Sequence, residues 1–104
     1  MSFRRYEILL PTRYNDGAPV EAERIDLVLE ELSDRFGGIT FHPEQLRGAW
    51  LHHGERFEEN NVRLVVDVED SPAAADFFVR YKQTLKERFR QIDIWIISYQ
   101  IQIT

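Results

Sequence analysis

The spacing of apolar residues changes period several times along the chain, and each change marks an element. Tyr6, Ile8 and Leu10 alternate with Glu7 and Leu9, which predicts a strand ended by Pro11. Asn15-Asp16-Gly17 then marks a turn, and Pro19 predicts a helix start, with Glu21 and Glu23 near the positive end of its dipole. Ala22, Ile25, Val28, Leu29, Leu32 and Phe36 recur at steps of three and four, the stripe of an amphipathic helix that Gly37-Gly38 stops. A second stripe, Ala74, Phe77, Phe78, Tyr81, Leu85 and Phe89, follows an N-cap at Ser71 and Pro72 at the first helical position. The chain closes on a strand with Trp95, Ile97, Tyr99, Ile101 and Ile103 on one face. Its other face, Ile94, Ile96, Ser98, Gln100 and Gln102, runs from apolar to polar.

Between the helices the pattern has period two. Ile39-Thr40-Phe41 starts one strand, and Val62 to Val68 forms another, with Val62, Leu64, Val66 and Val68 alternating against Arg63, Val65 and Asp67. Gly54 marks a hairpin tip, and His53 tolerates the positive φ that the first turn position needs. A His53-Gly54 turn sets Trp50 opposite Phe57 and His52 opposite Glu55, and further down Phe41 opposite Val66 and Ile39 opposite Val68. Pro43, Gly48 and Asn60-Asn61 are expected bends that displace this register by a residue.

The order is strand, helix, long hairpin, helix, strand, and no linker or repeat interrupts it. It predicts a single domain over 1–104, an α+β ferredoxin-like β-α-β-β-α-β sandwich with a long protruding hairpin between its second and third strands. Right-handed crossovers put both helices on one sheet face. Val65, Ile94 and Ile96 are expected on the opposite face, where another subunit must cover them, so the chain is expected to be a homo-oligomer, with a trimer favoured.

Trp50, Gly54, Glu58, Glu59 and the run Val62-Arg63-Leu64-Val65-Val66, set in this order of elements, resemble the CutA divalent-cation-tolerance family. More loosely, the chain resembles the PII-type signalling proteins, whose long loop leaves the same place in the fold. The resemblance implies trimers that bind ligands or metals in clefts between subunits. It does not extend to Asp67-Val68-Glu69, where the CutA pattern has Lys-Thr, or to Gln91-Ile92-Asp93-Ile94, where it has His-Pro-Tyr-Glu. The runs Tyr6 to Pro11 and Ile92 to Trp95 also resemble a group of small bacterial proteins from which no activity carries over.

Composition narrows the chemistry. With 104 residues, 43% hydrophobic and 30% charged, the chain fits one core. It has no cysteine, which rules out disulfides, thiolate catalysis and Cys-ligated metals. A formal net charge of -5 argues against general nucleic-acid or anionic-membrane binding. No apolar run approaches the roughly 20 residues of a membrane span. Arg4-Arg5 is not followed by the apolar region of a signal peptide, so a cytoplasmic protein is expected. The charge is unevenly spread. Residues 21 to 36 are rich in acids, and residues 80 to 90 carry Arg80, Lys82, Lys86, Arg88 and Arg90 against Glu87. These opposite signs suit two helices, or two subunits, lying side by side. Lys82, Lys86 and Arg90, four apart, also form a feasible row of phosphate contacts.

No catalytic residue set is legible: neither a Ser-His-Asp order nor a phosphate-cradling glycine loop is present. The hairpin tip has the makeup of an interaction surface for a partner protein or small ligand. Trp50 and Phe57 supply aromatic anchors, and Arg47, His52, Glu55, Arg56 and Glu58 supply a polar rim. His52 and Glu55, opposite one another with Cβ atoms about 5 Å apart, offer two ligands to a divalent metal, short of a closed site. His52 and His53 are neighbours and are expected on opposite faces. The leading expectation is therefore a non-enzymatic binding or signalling module of PII/CutA-like build. The alternative is a metal-dependent phosphodiesterase or nuclease that holds Mg²⁺ on Asp16, Asp67 and Asp70.

Overall fold

A computed structural model describes residues 1–104. The elements are β1 (Phe3–Pro11), α1 (Ala22–Phe36), β2 (Thr40–His52), β3 (Glu55–Glu69), α2 (Pro72–Arg88) and β4 (Ile96–Ile101). The four strands form one antiparallel sheet in the order β2-β3-β1-β4, and this is the expected ferredoxin-like arrangement. No helix is long and apolar enough to cross a membrane.

Strand parity explains the core. Tyr6, Ile8 and Leu10 of β1 pair with Val66, Leu64 and Val62 of β3, and all six are buried on the helix side. Val28 and Leu32 of α1 close over them, with Ala74, Phe78, Tyr81 and Leu85 of α2 and Phe89 beyond its end. Phe78 lies flat on Tyr6, with centroids 3.9 Å apart, and stacks on Phe36 at 5.3 Å.

The helix ends follow their sequence signals in part. Ser71 accepts a hydrogen bond from the Ala74 N–H, and Gly37 at φ 83° takes the left-handed cap of α1. Pro19 does not open the first helix. It bridges back to Arg13, and α1 begins at Ala22 without a side-chain cap. The backbone of Thr12 accepts from Val20 N–H, and that of Tyr14 from Gly17 N–H, so the β1–α1 connection folds as a small hairpin of its own.

Glu31 joins the helices. Its carboxylate accepts from both ends of the Arg88 guanidinium, the Nη2 contact at 3.1 Å, and from the Tyr81 hydroxyl at 2.9 Å. The Arg88 hydrogen bond holds the Glu31 carboxyl below its ordinary range, against the opposing effect of burial. A depressed carboxylate contributes stability above its unfolded pKa and loses it as pH falls through the folded value. Glu31→Gln is therefore expected to be less stable than the parent at pH 7, by about 1 kcal/mol because Glu31 is partly exposed and screened. The difference should vanish in acid, and urea midpoints between pH 7 and 3 measure it.

The hairpin register is as expected at the tip and different at the root. His53 at φ 50° and Gly54 at φ 79° form the tight turn, and Trp50 pairs with Phe57 and His52 with Glu55. Pro43, Glu44 and Gln45 then stand against Val62 alone, because His42 pairs with Arg63 while Leu46 pairs with Asn61. The displacement is two residues rather than one, so Phe41 meets Leu64, not Val66. A two-residue slip preserves side-chain alternation and leaves every later residue on its expected face.

The open sheet face differs from expectation in its membership. Val65 lies on it, but Ile94 and Ile96 pack against the helical core. Ile96 pairs with Ile8 of the buried set, which fixes its side. Trp95, Ile97 and Tyr99 take the open face instead, 60%, 47% and 42% exposed. Beside them, Tyr99 donates to Glu7 at 2.7 Å, Glu7 pairs with Arg63 at 3.3 Å, and Arg5 makes a two-point contact with Asp67.

Candidate functional site

The exposed arm of the hairpin and the β1–α1 connection enclose a cleft of about 700 Å³. Backbone pairing fixes its geometry: Asn60 C=O accepts from Thr12 N–H at 3.0 Å and from the Thr12 hydroxyl at 3.2 Å, tying the hairpin stem to the end of β1. One wall is the stacked pair Trp50 and Phe57, with centroids 4.8 Å apart. Arg47, Arg56 and Glu58 also line the cleft, from the other face of the arm because they alternate with Trp50 and Phe57 along the strands, and Arg56 and Glu58 pair with each other at 3.2 Å. The facing wall is Thr12, Arg13, Tyr14, Asn15 and Gly17.

Tyr14 is held rigidly. Arg90 lies over its ring at 4.5 Å, and its hydroxyl donates to Glu21. That bond, helped by Glu21's own backbone N–H and by Arg24, brings the Glu21 carboxyl down to about 2. Asp16 accepts from the Ala18 N–H, and Arg13 donates to the Gly17 carbonyl, so the connection is preorganised by its own polar groups.

Gly48, Ala49, Trp50 and Glu59 separate this cleft from a smaller niche of about 170 Å³ on the open sheet face. Glu59 is half-buried there. Burial pushes its carboxyl up from the ordinary range, opposed by hydrogen bonds from the Asn61 and Trp50 side chains. Asn61 itself is 5% exposed.

Of the residues singled out from the sequence, Arg47, Trp50, Arg56, Phe57 and Glu58 come together in the cleft. His52 and Glu55 face each other across the strands but lie outside it, at the tip. His52 and His53 do not diverge: their rings meet edge to face at 4.2 Å. Strand alternation fails there because His53 occupies the left-handed turn position, which redirects its side chain. No group of three or more His, Asp or Glu side chains is arranged to hold a metal ion.

The alternative carboxylates are not brought together. Asp67 is bound by Arg5, Asp70 accepts from Arg4 and Gln100, and Asp16 caps its own turn. The basic row on α2 is also broken up. Lys82 pairs with Asp93 at 3.0 Å, and Arg90 lies beyond the helix at φ 53° over Tyr14.

Sequence reading missed the facing wall, Arg13 and Tyr14 above all. It took Asn15-Asp16-Gly17 for a plain turn, and no local signal states that this turn folds back toward the hairpin. Glu59 figured only in the family resemblance, because an alternating strand does not reveal which acid loses its water.

No protein-family model and no curated protein matches the chain. Solved structures do. A divalent cation tolerance protein, CutA1, from Thermus thermophilus superposes with a TM-score of 0.66 at 16% identity, over 98% of this chain and 86% of that one. A phage SAM lyase in complex with S-methyl-5'-thioadenosine superposes with a TM-score of 0.67 at 17% identity, over 98% and 90%. The same kind of lyase in its apo state gives 0.64 at 17%. The chain shares their fold.

Proposed function

We propose that the chain is an oligomeric binding module that takes a flat, nucleoside-sized ligand in the cleft between the hairpin arm and the β1–α1 connection. The observation that carries this reading is the cleft itself: about 700 Å³, with the stacked Trp50–Phe57 pair on the hairpin side and the polar connection from Thr12 to Gly17, anchored by the buried Tyr14, on the other. Aromatic faces accept any planar base, and Arg13 and Arg47 supply donors to ring nitrogens, hydroxyls or an anionic group. The ligand held by the phage lyase, S-methyl-5'-thioadenosine, is of this size and shape and is the natural first probe.

The whole chain serves as one domain in this reading. Three copies assemble through the open sheet face at Ile97 and Tyr99, both exposed, while Trp95 at the margin of that strip faces the niche and stays outside the contact. The hairpin arms then project beside neighbouring subunits, and the cleft lies near the boundary between copies. The reading is non-enzymatic, because the cleft needs no reacting group to hold such a ligand.

Calorimetric titration with S-methyl-5'-thioadenosine tests the site. The parent is expected to bind one molecule per chain, and Phe57→Ala to weaken binding roughly 5- to 150-fold, the value of one base–aromatic stack. The fold should survive, since Phe57 is outside the core. No binding by the parent at millimolar probe, or equal binding by Phe57→Ala, rejects the cleft as a nucleoside site.

A further inference from the structure

The niche on the open sheet face has chemistry of its own. Its lining is Leu9, Pro11 and Ile94, two tryptophans, Trp50 and Trp95, and the carboxylate of Glu59. Gly48, Ala49, Asn61 and Asp93 complete it, but Asp93 is already paired with Lys82. None of the chain's ion pairs involves Glu59. The polar side chains acting on it are neutral, those of Asn61 and Trp50. A half-buried carboxylate without a cation is costly to keep, and an apolar cavity beside it makes it costlier.

That combination selects its occupant by chemistry. A metal ion requires several ligating atoms, and no such group exists here. A bare ammonium or guanidinium needs acceptors for each N–H, and the niche offers one unpaired carboxylate, Glu59, since Asp93 is held by Lys82. An alkylated cation needs none: its charge is spread over methyl groups that pack on apolar surface, over indole faces and against a single carboxylate.

We propose that the niche binds an alkylated onium group, a quaternary ammonium or a sulfonium, with Trp50 and Trp95 as aromatic walls and Glu59 as counter-charge. The site is separate from the nucleoside cleft and stands whether or not that cleft is occupied. Trp50 and Glu59 border both, whereas Trp95 borders only the niche and Phe57 only the cleft.

The test uses choline and its neutral isostere 3,3-dimethylbutan-1-ol, read by tryptophan fluorescence and by NMR of the indole N–H signals. Trimethylsulfonium and tetramethylammonium ions then rank the two onium sources. Choline is expected to saturate the site, and the isostere to bind at least about tenfold more weakly. Glu59→Gln should lose choline by about tenfold or more while melting at the same temperature as the parent or higher. Folding raises the Glu59 pKa, so the ionised carboxylate opposes folding at neutral pH, and removing its charge relieves that. Trp95→Leu keeps the wall apolar without a π face, and should weaken choline several-fold while leaving thioadenosine binding in the cleft unchanged. Equal binding of choline and its isostere, or unchanged choline affinity in Glu59→Gln and Trp95→Leu, overturns the proposal. So does a Glu59→Gln variant that melts well below the parent, because Glu59 is then a structural acceptor.

Discussion

Replacing Phe78 by alanine is expected to remove about 3–5 kcal/mol of stability, the usual cost of deleting a buried phenylalanine. Phe78 is 3% exposed and is the centre of the aromatic packing: Tyr6 stacks on it from β1, Phe36 from α1, and Phe77 meets it edge-on at 5.1 Å. The three elements therefore lose a common contact at once, and the neighbouring rings are too large and too well fixed to fill the gap. Against a total stability of about 5–15 kcal/mol for a small domain, such a loss leaves a marginal fold. Thermal melting is the measurement, with a fall of roughly 15–30 °C expected. Phe77→Ala is the control. Its ring lies at the edge of the same cluster, partly in solvent and under the Arg35 guanidinium at 4.9 Å, so its loss should cost much less. Equal costs for the two variants would mean that α2 packs through a different face.

Phe77 and Phe78 also indicate what a sequence can and cannot reveal. Both lie on the apolar stripe of α2, and periodicity alone ranks them equally. Phe36 of α1 meets both rings, at 5.2 and 5.3 Å, and only the packing of α2 on the sheet, which lays Tyr6 on Phe78 and leaves Phe77 at the rim, separates them. The same limit applied at β4. Alternation correctly divided Trp95, Ile97 and Tyr99 from Ile94 and Ile96, but which set faces the helices depends on pairing with β1. Ile96 opposite Ile8 settles that, and this pairing is not local information. Turn chemistry, by contrast, was legible: His53-Gly54 fixed Trp50 against Phe57, and with them one wall of the cleft. The other wall was not, because Tyr14 reaches its place through Glu21 and Arg90, residues 7 and 76 positions away.

Ile97→Lys is expected to turn the proposed trimer into a folded monomer. Ile97 is 47% exposed on the open face, beside Tyr99, where a second copy would dock. A lysine ammonium buried in that contact is desolvated without a designed partner, a penalty of several kcal/mol per copy that weakens association more than about 100-fold. Within one chain the same change is tolerated, because Ile97 pairs directly with Glu7, and a lysine there stands opposite a carboxylate. The face has a second sign of an absent partner: the Arg63 Nε–H is buried with no acceptor, although Arg63 Nη1 reaches Glu7. Buried donors are rarely left unpaired, and an acceptor from a neighbouring copy would satisfy this one. Light scattering measures the outcome directly. The parent should scatter as three chains of 12.4 kDa and the variant as one, with the same far-UV circular dichroism. A parent that is monomeric at micromolar concentration, or an Ile97→Lys variant that still assembles, removes the open sheet face as the subunit contact. In the second case Arg63 and its orphaned Nε–H point to the hairpin side of the sheet as the place to look for the contact instead.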